Sequence, residues 1–190
     1  MLFNLGLVSC LSKPNPKVPI SILWRYSATD YVKLNVNGLF LGNLDYLDGG
    51  GVVWDFFGNV LFGFTIFFGI RSNMEAESLA LLEGVQLCSE CGLNHVEVET
   101  DSKTLALMLL GKTQVPWKLW RSISCIKDIA LGKHFVFTHT FRVVNVVANA
   151  LATLASSSKC YSIFSATQIH RDIIGLANLI WTPPTLWWHP

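Results

Sequence analysis

The sequence predicts a mixed α/β fold, a five-stranded sheet that begins with three antiparallel strands and is flanked by helices. Strand-like alternation of apolar residues comes first in the chain, and helical periodicity with two more short strands follows it. The 190 residues are 51% hydrophobic and 14% charged, which is enough apolar material for one sizeable core. We expect this domain over residues 31–157, between an N-terminal arm (1–30) and a C-terminal tail (158–190). Both flanks lack a clear inward face of regular period, although residues 169–179 are weakly helical.

The first three strands are predicted from alternation. In the first, Val32, Leu34 and Val36 alternate with polar residues, the pattern of a strand that is buried on one face only. The second strand includes three glycines at 49–51, which indicate a bulge or the close approach of another backbone. After a turn, residues 60–70 alternate again, so the three strands form a meander.

A helix is predicted to begin after Ser72, because Ser72 and Glu75 have the spacing of a capping box. Its inward positions recur every three or four residues, and Gly92 is a typical stop signal. Glu77 falls on this inward face, where a carboxylate needs a cation or a hydrogen-bonding partner. A Glu in the first helical turn is also favoured by the helix dipole alone, so the periodicity leaves both interpretations open.

The rest of the predicted domain contains two strands and three helices. They are a strand over residues 95–100, helices over 102–110 and 117–131, a strand over 135–139, and a helix over 146–156 capped by Asn145. We expect the first and fourth strands to be neighbours. Asn37, Glu77 and Asp101 would then converge at one edge of the sheet, and Asn149 lies one turn into the last helix.

Charge and composition limit the partners. A formal net charge of +1 gives no general attraction for nucleic acid, so such binding would rest on a local patch. One candidate is the helix over 117–131, where Lys118, Arg121 and Lys127 stand among Trp117 and Trp120. The alternative is a solvated helix face with both tryptophans in the core. The apolar stripe of this helix is predicted at Trp120, Ile123, Cys125/Ile126 and Ile129/Ala130.

The sequence predicts no membrane segment and an intracellular protein, nuclear or cytoplasmic. No run reaches the roughly 20 apolar residues of a membrane-spanning helix, and the first ten residues lack the features of a secretory signal. Five cysteines without a regular framework favour reduced thiols. Cys88, Cys91 and His95 have the spacing of half a zinc site, but Cys88 is on the inward helix face, which favours a buried thiol.

Five short motifs occur in a fixed order. They are NVNG at 35–38, GGGV at 49–52, SNMEAE at 72–77 followed by Ala80 and Leu81, ETDS at 99–102, and HTFRVVNVVANALA at 139–152. Together they resemble the type 1 ribonuclease H domain, and more narrowly the plant reverse-transcriptase-like branch related to non-LTR retrotransposons. The resemblance covers about residues 32–156. It rests on the order of the motifs, because each motif alone is unspecific.

The resemblance implies an enzyme that cuts the RNA strand of an RNA–DNA hybrid with two Mg²⁺ ions held by four carboxylates. The four positions are Asn37, Glu77, Asp101 and Asn149 in this chain, so two of them carry amides. His139 corresponds to the loop histidine of the family, which is proposed to shuttle protons or to assist product release.

The two amides change the expected function. Mg²⁺ prefers anionic oxygen, and in the family the first and fourth positions hold the water-activating ion. We therefore expect weak or absent Mg²⁺ binding and little or no cleavage by a domain that binds RNA–DNA hybrid or another nucleic acid. The expected nucleic-acid contacts are Asn73, Lys118 and Arg121.

Two alternatives stay open. The first is an active Mg²⁺-dependent hybrid endoribonuclease that uses one metal ion or borrows a ligand from Glu75, Asp48 or Glu99. The second is a protein-interaction module on the same fold, with a partner that the sequence does not identify.

Overall fold

The computed structural model describes residues 24–40, 46–70 and 72–169, which form one sheet with helices on both faces. The elements are β1 Val32–Phe40, β2 Tyr46–Trp54, β3 Val60–Ile70, α1 Asn73–Glu90, β4 His95–Thr100, α2 Lys103–Leu109, α3 Trp117–Ala130, β5 His134–His139, a 3-10 turn Arg142–Val144, α4 Val146–Ser158 and β6 Ser162–Ser165. The predicted mixed α/β class and the antiparallel start, β1 with β2 and β2 with β3, are confirmed.

The sheet has six strands in the order β5-β4-β1-β2-β3-β6, so the predicted count of five is wrong. The additional strand, β6, pairs antiparallel with β3, from Phe62 opposite Ser165 to Thr65 opposite Ser162. With four residues β6 is too short for alternation to reveal it. The predicted pairing of β1 with β4 is confirmed and is parallel, with Val32 opposite Val96.

β1 is buried on both faces, which corrects the prediction of a half-buried strand. Lys33, Asn35 and Asn37, on the face expected to be solvated, are each only 2% exposed. α1 packs on one face of β1, and α4 packs on the other. The polar side chains are paired there, since the Lys33 ammonium lies 2.5 Å from a carboxylate oxygen of Glu99.

α1 begins and ends as predicted. The Ser72 hydroxyl accepts from the Glu75 backbone N–H, and the Glu75 carboxylate accepts from the Ser72 backbone N–H at 2.9 Å, which completes the capping box. The helix ends at Glu90, and Gly92 follows with a φ of +72°, the left-handed conformation that closes many helices. The inward residues from Ala80 to Cys88 pack into the larger core, with Leu34, Val36 and Val98.

Two helix predictions need correction. Trp120 was expected on the inward stripe of α3, but it is 66% exposed and Leu119 is buried instead. Trp117 is 83% exposed, so the alternative with both tryptophans in the core is wrong. The Asn145 side chain does not cap α4: its amide nitrogen donates to the backbone oxygen of Val36 at 2.8 Å, and its amide oxygen, which a cap would use, accepts no hydrogen bond.

A smaller core lies under α4 and includes Val52, Leu151 and Ile169. Trp24, in the predicted arm, packs against it with its ring centroid 5.4 Å from that of Trp54. Most of the arm and tail lies outside the described residues, and so does nearly all of a weakly helical stretch predicted over 169–179. The division into arm, domain and tail stays a prediction. In the part of the chain that the structure describes, no helix is long and apolar enough to cross a membrane.

Candidate functional site

The four positions named by the resemblance lie where the ends of β1 and β4 meet the first turns of α1 and α4. Asn37, near the end of β1, donates its side-chain amide to the amide oxygen of Asn149 at 3.0 Å. Asp101 directly follows β4, and Glu77 lies in the first turns of α1. The fold therefore brings together side chains that are up to 112 residues apart in the chain.

Two glycines bring the helices this close to the sheet. A Cβ atom on Gly38 would lie 2.3 Å from the backbone nitrogen of Glu77. A Cβ atom on Gly50 would lie 2.5 Å from the backbone nitrogen of Ala152, one turn from Asn149. The predicted close approach at the triple glycine is confirmed, and the approaching backbone at Gly50 is that of α4.

Glu77 and Asp101 form the anionic half of the site. Burial raises the pKa of Glu77; a hydrogen bond from Ser102 opposes this rise, the charge of Asp101 adds to it, and the charge of Arg142 opposes it. Burial also raises the pKa of Asp101, against the charge of Arg142. These two carboxyl groups therefore hold a proton more readily than exposed ones.

His139 and Arg142 face this carboxylate pair from the segment after β5. The guanidinium Nε of Arg142 lies 3.9 Å from a carboxylate oxygen of Asp101, and the Arg142 side chain is 69% exposed. The positive form of His139 also lowers the pKa of Asp101. His139 is exposed and packs edge-to-face against Phe141, with ring centroids 5.5 Å apart. No role is predicted for Arg142 from the sequence, although it lies inside the last of the five motifs.

The three carboxylates named as borrowed ligands have partners of their own. The Glu75 carboxylate is part of the capping box with Ser72. The Glu99 carboxylate accepts from Lys33 and from the Asn35 amide at 2.8 Å. Asp48 is 1% exposed, and one of its oxygens accepts from the Ser156 hydroxyl. Across the described ranges, no group of three or more His, Cys, Asp or Glu side chains is arranged to hold a metal ion.

The predicted burial of the Cys88 thiol is confirmed, since Cys88 is fully buried, whereas Cys91 is exposed. Burial raises the pKa of the Cys88 thiol to about 12, which keeps the thiol protonated.

The expected nucleic-acid contacts are all exposed. Asn73 is the first residue of α1, so it lies one turn before Glu77. Lys118 and Arg121 lie on α3, which packs beside α1 through a hydrogen bond between the hydroxyls of Ser122 and Ser78 at 3.1 Å. Their contact with nucleic acid stays a prediction.

Known proteins share both the sequence pattern and the fold. The family model described as "Reverse transcriptase-like" matches residues 35–155. A search of the curated proteins found no match.

Three solved structures show the likeness in fold. RNase H1 from the archaeon Halobacterium salinarum has a TM-score of 0.64 at 24% identity over 67% of this chain and 98% of its own. An N-terminal RNase H domain from Mycobacterium tuberculosis has a TM-score of 0.62 at 23% identity, over 68% of this chain and 99% of its own. LC11-RNase H1, in complex with an RNA/DNA hybrid, has a TM-score of 0.62 at 24% identity, over 67% of this chain and 98% of its own. The fold is therefore that of ribonuclease H.

Proposed function

The chain belongs to the reverse transcriptase-like family, and from that membership we propose a nucleic-acid-binding domain that has lost most or all hybrid cleavage. Its proposed partner is an RNA–DNA hybrid, the ligand in the LC11-RNase H1 complex. The proposal includes descent from a plant retrotransposon, on the order of the five motifs, and a nuclear or cytoplasmic location.

The observation that carries the proposal is the hydrogen bond between Asn37 and Asn149. A centre for two Mg²⁺ ions uses several anionic oxygens, but here two of the four positions are neutral amides that satisfy each other. Glu77 and Asp101 remain as the anionic donors, and burial, which raises the pKa of both, works against their ionisation. The residues present therefore do not fit a two-metal centre.

Binding of nucleic acid does not need that centre. Arg142 presents an exposed guanidinium next to Asp101, and Arg pairs well with phosphate oxygens. Asn73 offers an exposed amide at the N-terminus of α1, where the helix dipole favours a negatively charged group. These groups would hold a phosphate backbone over the site without activating water.

The test is a Mg²⁺ titration with a labelled RNA–DNA hybrid in which binding and cleavage are read on one sample. We expect salt-dependent binding at all Mg²⁺ concentrations and no cleavage at a rate typical of an enzyme. Cleavage by the unmodified chain, freed of contaminating nuclease, would contradict the proposal and favour an active endoribonuclease.

The matched variants are Asn37→Asp, Asn149→Asp and the double variant. We expect the double variant to gain far more cleavage than the two single variants combined, because both side chains would serve the same ion. Adding Glu77→Gln to the double variant should abolish the gain, which identifies the source of the activity as this site.

A further inference from the structure

A groove of about 480 Å³ lies between α1 and α3 on the surface of the domain. Leu79, Leu82 and Cys125 supply apolar lining, and Lys118 and Arg121 line its α3 side. This volume is in the range of sites that hold one small molecule, roughly 300–1,000 Å³. A double helix is too wide for such a groove, whereas a single nucleotide is of the right size.

The charges on the α3 side favour an anion. Among the described residues, neither Lys118 nor Arg121 forms an ion pair. The carboxylate in the lining is that of Glu75, and it is held by the backbone N–H and the hydroxyl of Ser72 at 2.9 and 2.7 Å. The two cations are therefore available to a phosphate group.

An aromatic ring is available next to these cations. Trp117 is 83% exposed, and the ammonium of Lys118 lies 5.8 Å from the centroid of its ring. Trp117 is one helical turn before Arg121, so the two side chains are neighbours on α3. Cations beside an exposed ring are the usual components of a site for single-stranded nucleic acid, in which the base stacks and the phosphate is neutralised.

We propose that this groove receives one unpaired nucleotide, with its base against Leu79, Leu82 and the ring of Trp117 and its phosphate at Lys118 and Arg121. The inference rests on the proposed function and names its substrate class, a hybrid that carries a single-stranded extension. Glu75 and Ser78 line the groove and flank Glu77 in the first turns of α1, but side chains two positions apart point to different sides of a helix. A strand that leaves a duplex held at the candidate site would therefore enter the groove by crossing the N-terminal end of α1.

The experiment compares two labelled RNA–DNA hybrids of the same duplex sequence by fluorescence anisotropy in EDTA, one blunt and one with a short single-stranded extension. We expect the extension to tighten binding by about tenfold or more, because stacking of one base on an aromatic ring contributes that much. Trp117→Ala and Arg121→Ala, both at exposed positions, should remove this gain.

Lys127→Ala is the matched control, because it removes one positive charge from an exposed position of the same helix that does not line the groove. It should keep the ratio between the two hybrids. Equal affinity for both hybrids, or a gain that survives Trp117→Ala and Arg121→Ala, would overturn the inference. Failure to bind either hybrid would instead overturn the proposed function.

Discussion

Asn37 and Asn149 form a neutral pair at a place where two carboxylates would repel each other. Their hydrogen bond satisfies polar groups at a largely buried position, since Asn37 is 2% exposed. The pair therefore stabilises the metal-free domain. A site built from four carboxylates would need cations to offset the same repulsion.

A first prediction follows for stability without reference to cleavage. The variant with both Asn37→Asp and Asn149→Asp should lose on the order of a few kcal/mol of unfolding free energy in EDTA, because it places two negative charges at contact distance. Asn149→Asp alone should lose less, since Asn37 can still donate to a carboxylate. Thermal melts with and without Mg²⁺ measure this, and we expect Mg²⁺ to restore stability to the double variant only. An unchanged melt of the double variant in EDTA would contradict the argument.

The raised pKa values of Glu77 and Asp101 predict how stability depends on pH. A carboxyl group with a higher pKa in the folded state binds its proton more tightly when folded, so its ionisation destabilises the fold. The contribution of such a group to the free energy of unfolding rises as the pH falls from above the folded pKa toward the unfolded pKa, which is near 4. Glu77→Gln should therefore make the domain more stable near pH 8 and reduce the stability gained as the pH falls from 8 toward 4.

Urea unfolding at several pH values measures this second prediction. The exposed Glu90→Gln, which removes the same charge near the other end of α1, is the matched control. If Glu77→Gln and Glu90→Gln shifted the pH dependence equally, burial of Glu77 would not be its cause.

Much of the candidate site was predictable residue by residue. The motif order named Asn37, Glu77, Asp101 and Asn149, and the spacing of Ser72 and Glu75 placed the start of α1. The position of Arg142 beside Asp101 was not predictable, because it depends on how the segment after β5 folds back across the end of β4. Periodicity describes one element at a time and does not carry such a contact.

At the scale of elements, the distance between helix and sheet is set by residues without side chains. Gly38 contacts the backbone of α1 at Glu77, and Gly50 contacts the backbone of α4 at Ala152. A contact with backbone cannot be relieved by a change of rotamer, so a larger residue must move the whole helix.

A third prediction is that Gly38→Ala costs more than about 2 kcal/mol of unfolding free energy and moves Glu77 away from Asn37. Gly63→Ala is the matched control on β3, because a Cβ atom there would lie 3.1 Å from the end of the Leu151 side chain and 3.2 Å from the nearest backbone atom, the Gly51 oxygen, so a shift of a few tenths of an ångström relieves both contacts. Urea unfolding compares the two variants. Equal losses would show that the contact with α1 is not the cause.

The type of each element, helix or strand, was predicted better than the burial of its faces. β1 was expected to have a solvated face, and Trp120 was expected inside, but Lys33 is buried and Trp120 is exposed. Alternation reports which residues share a face and does not report whether a second helix covers that face. For α3 the predicted stripe is right at Ile123 and Ile126, which are buried, and wrong in its first turn, where Leu119 is buried instead of Trp120.

For the whole molecule, the described chain is larger than the segment that the family model matches, residues 35–155. β6 extends the sheet beyond β3, and Ile169 is 4% exposed in the core under α4. At the other end, Trp24 contacts Trp54 and its indole N–H donates to Asn35 at 3.5 Å. Both flanks therefore pack on the sheet or on α4, although their sequences lack a regular period.

The last prediction separates a dispensable tail from a structural one. A domain that ends at residue 157 implies that truncation there leaves the melt unchanged, whereas the burial of Ile169 and the pairing of β6 favour a loss. We expect a chain that ends at residue 170 to melt like the full chain, and one that ends at residue 157 to melt several degrees lower while remaining cooperative. Ile169→Ala in the full chain should lose about 2–5 kcal/mol, as buried Ile to Ala changes usually do. If truncation at residue 157 left the melt unchanged, β6 and Ile169 would contribute nothing, and the domain would end where the sequence placed its boundary.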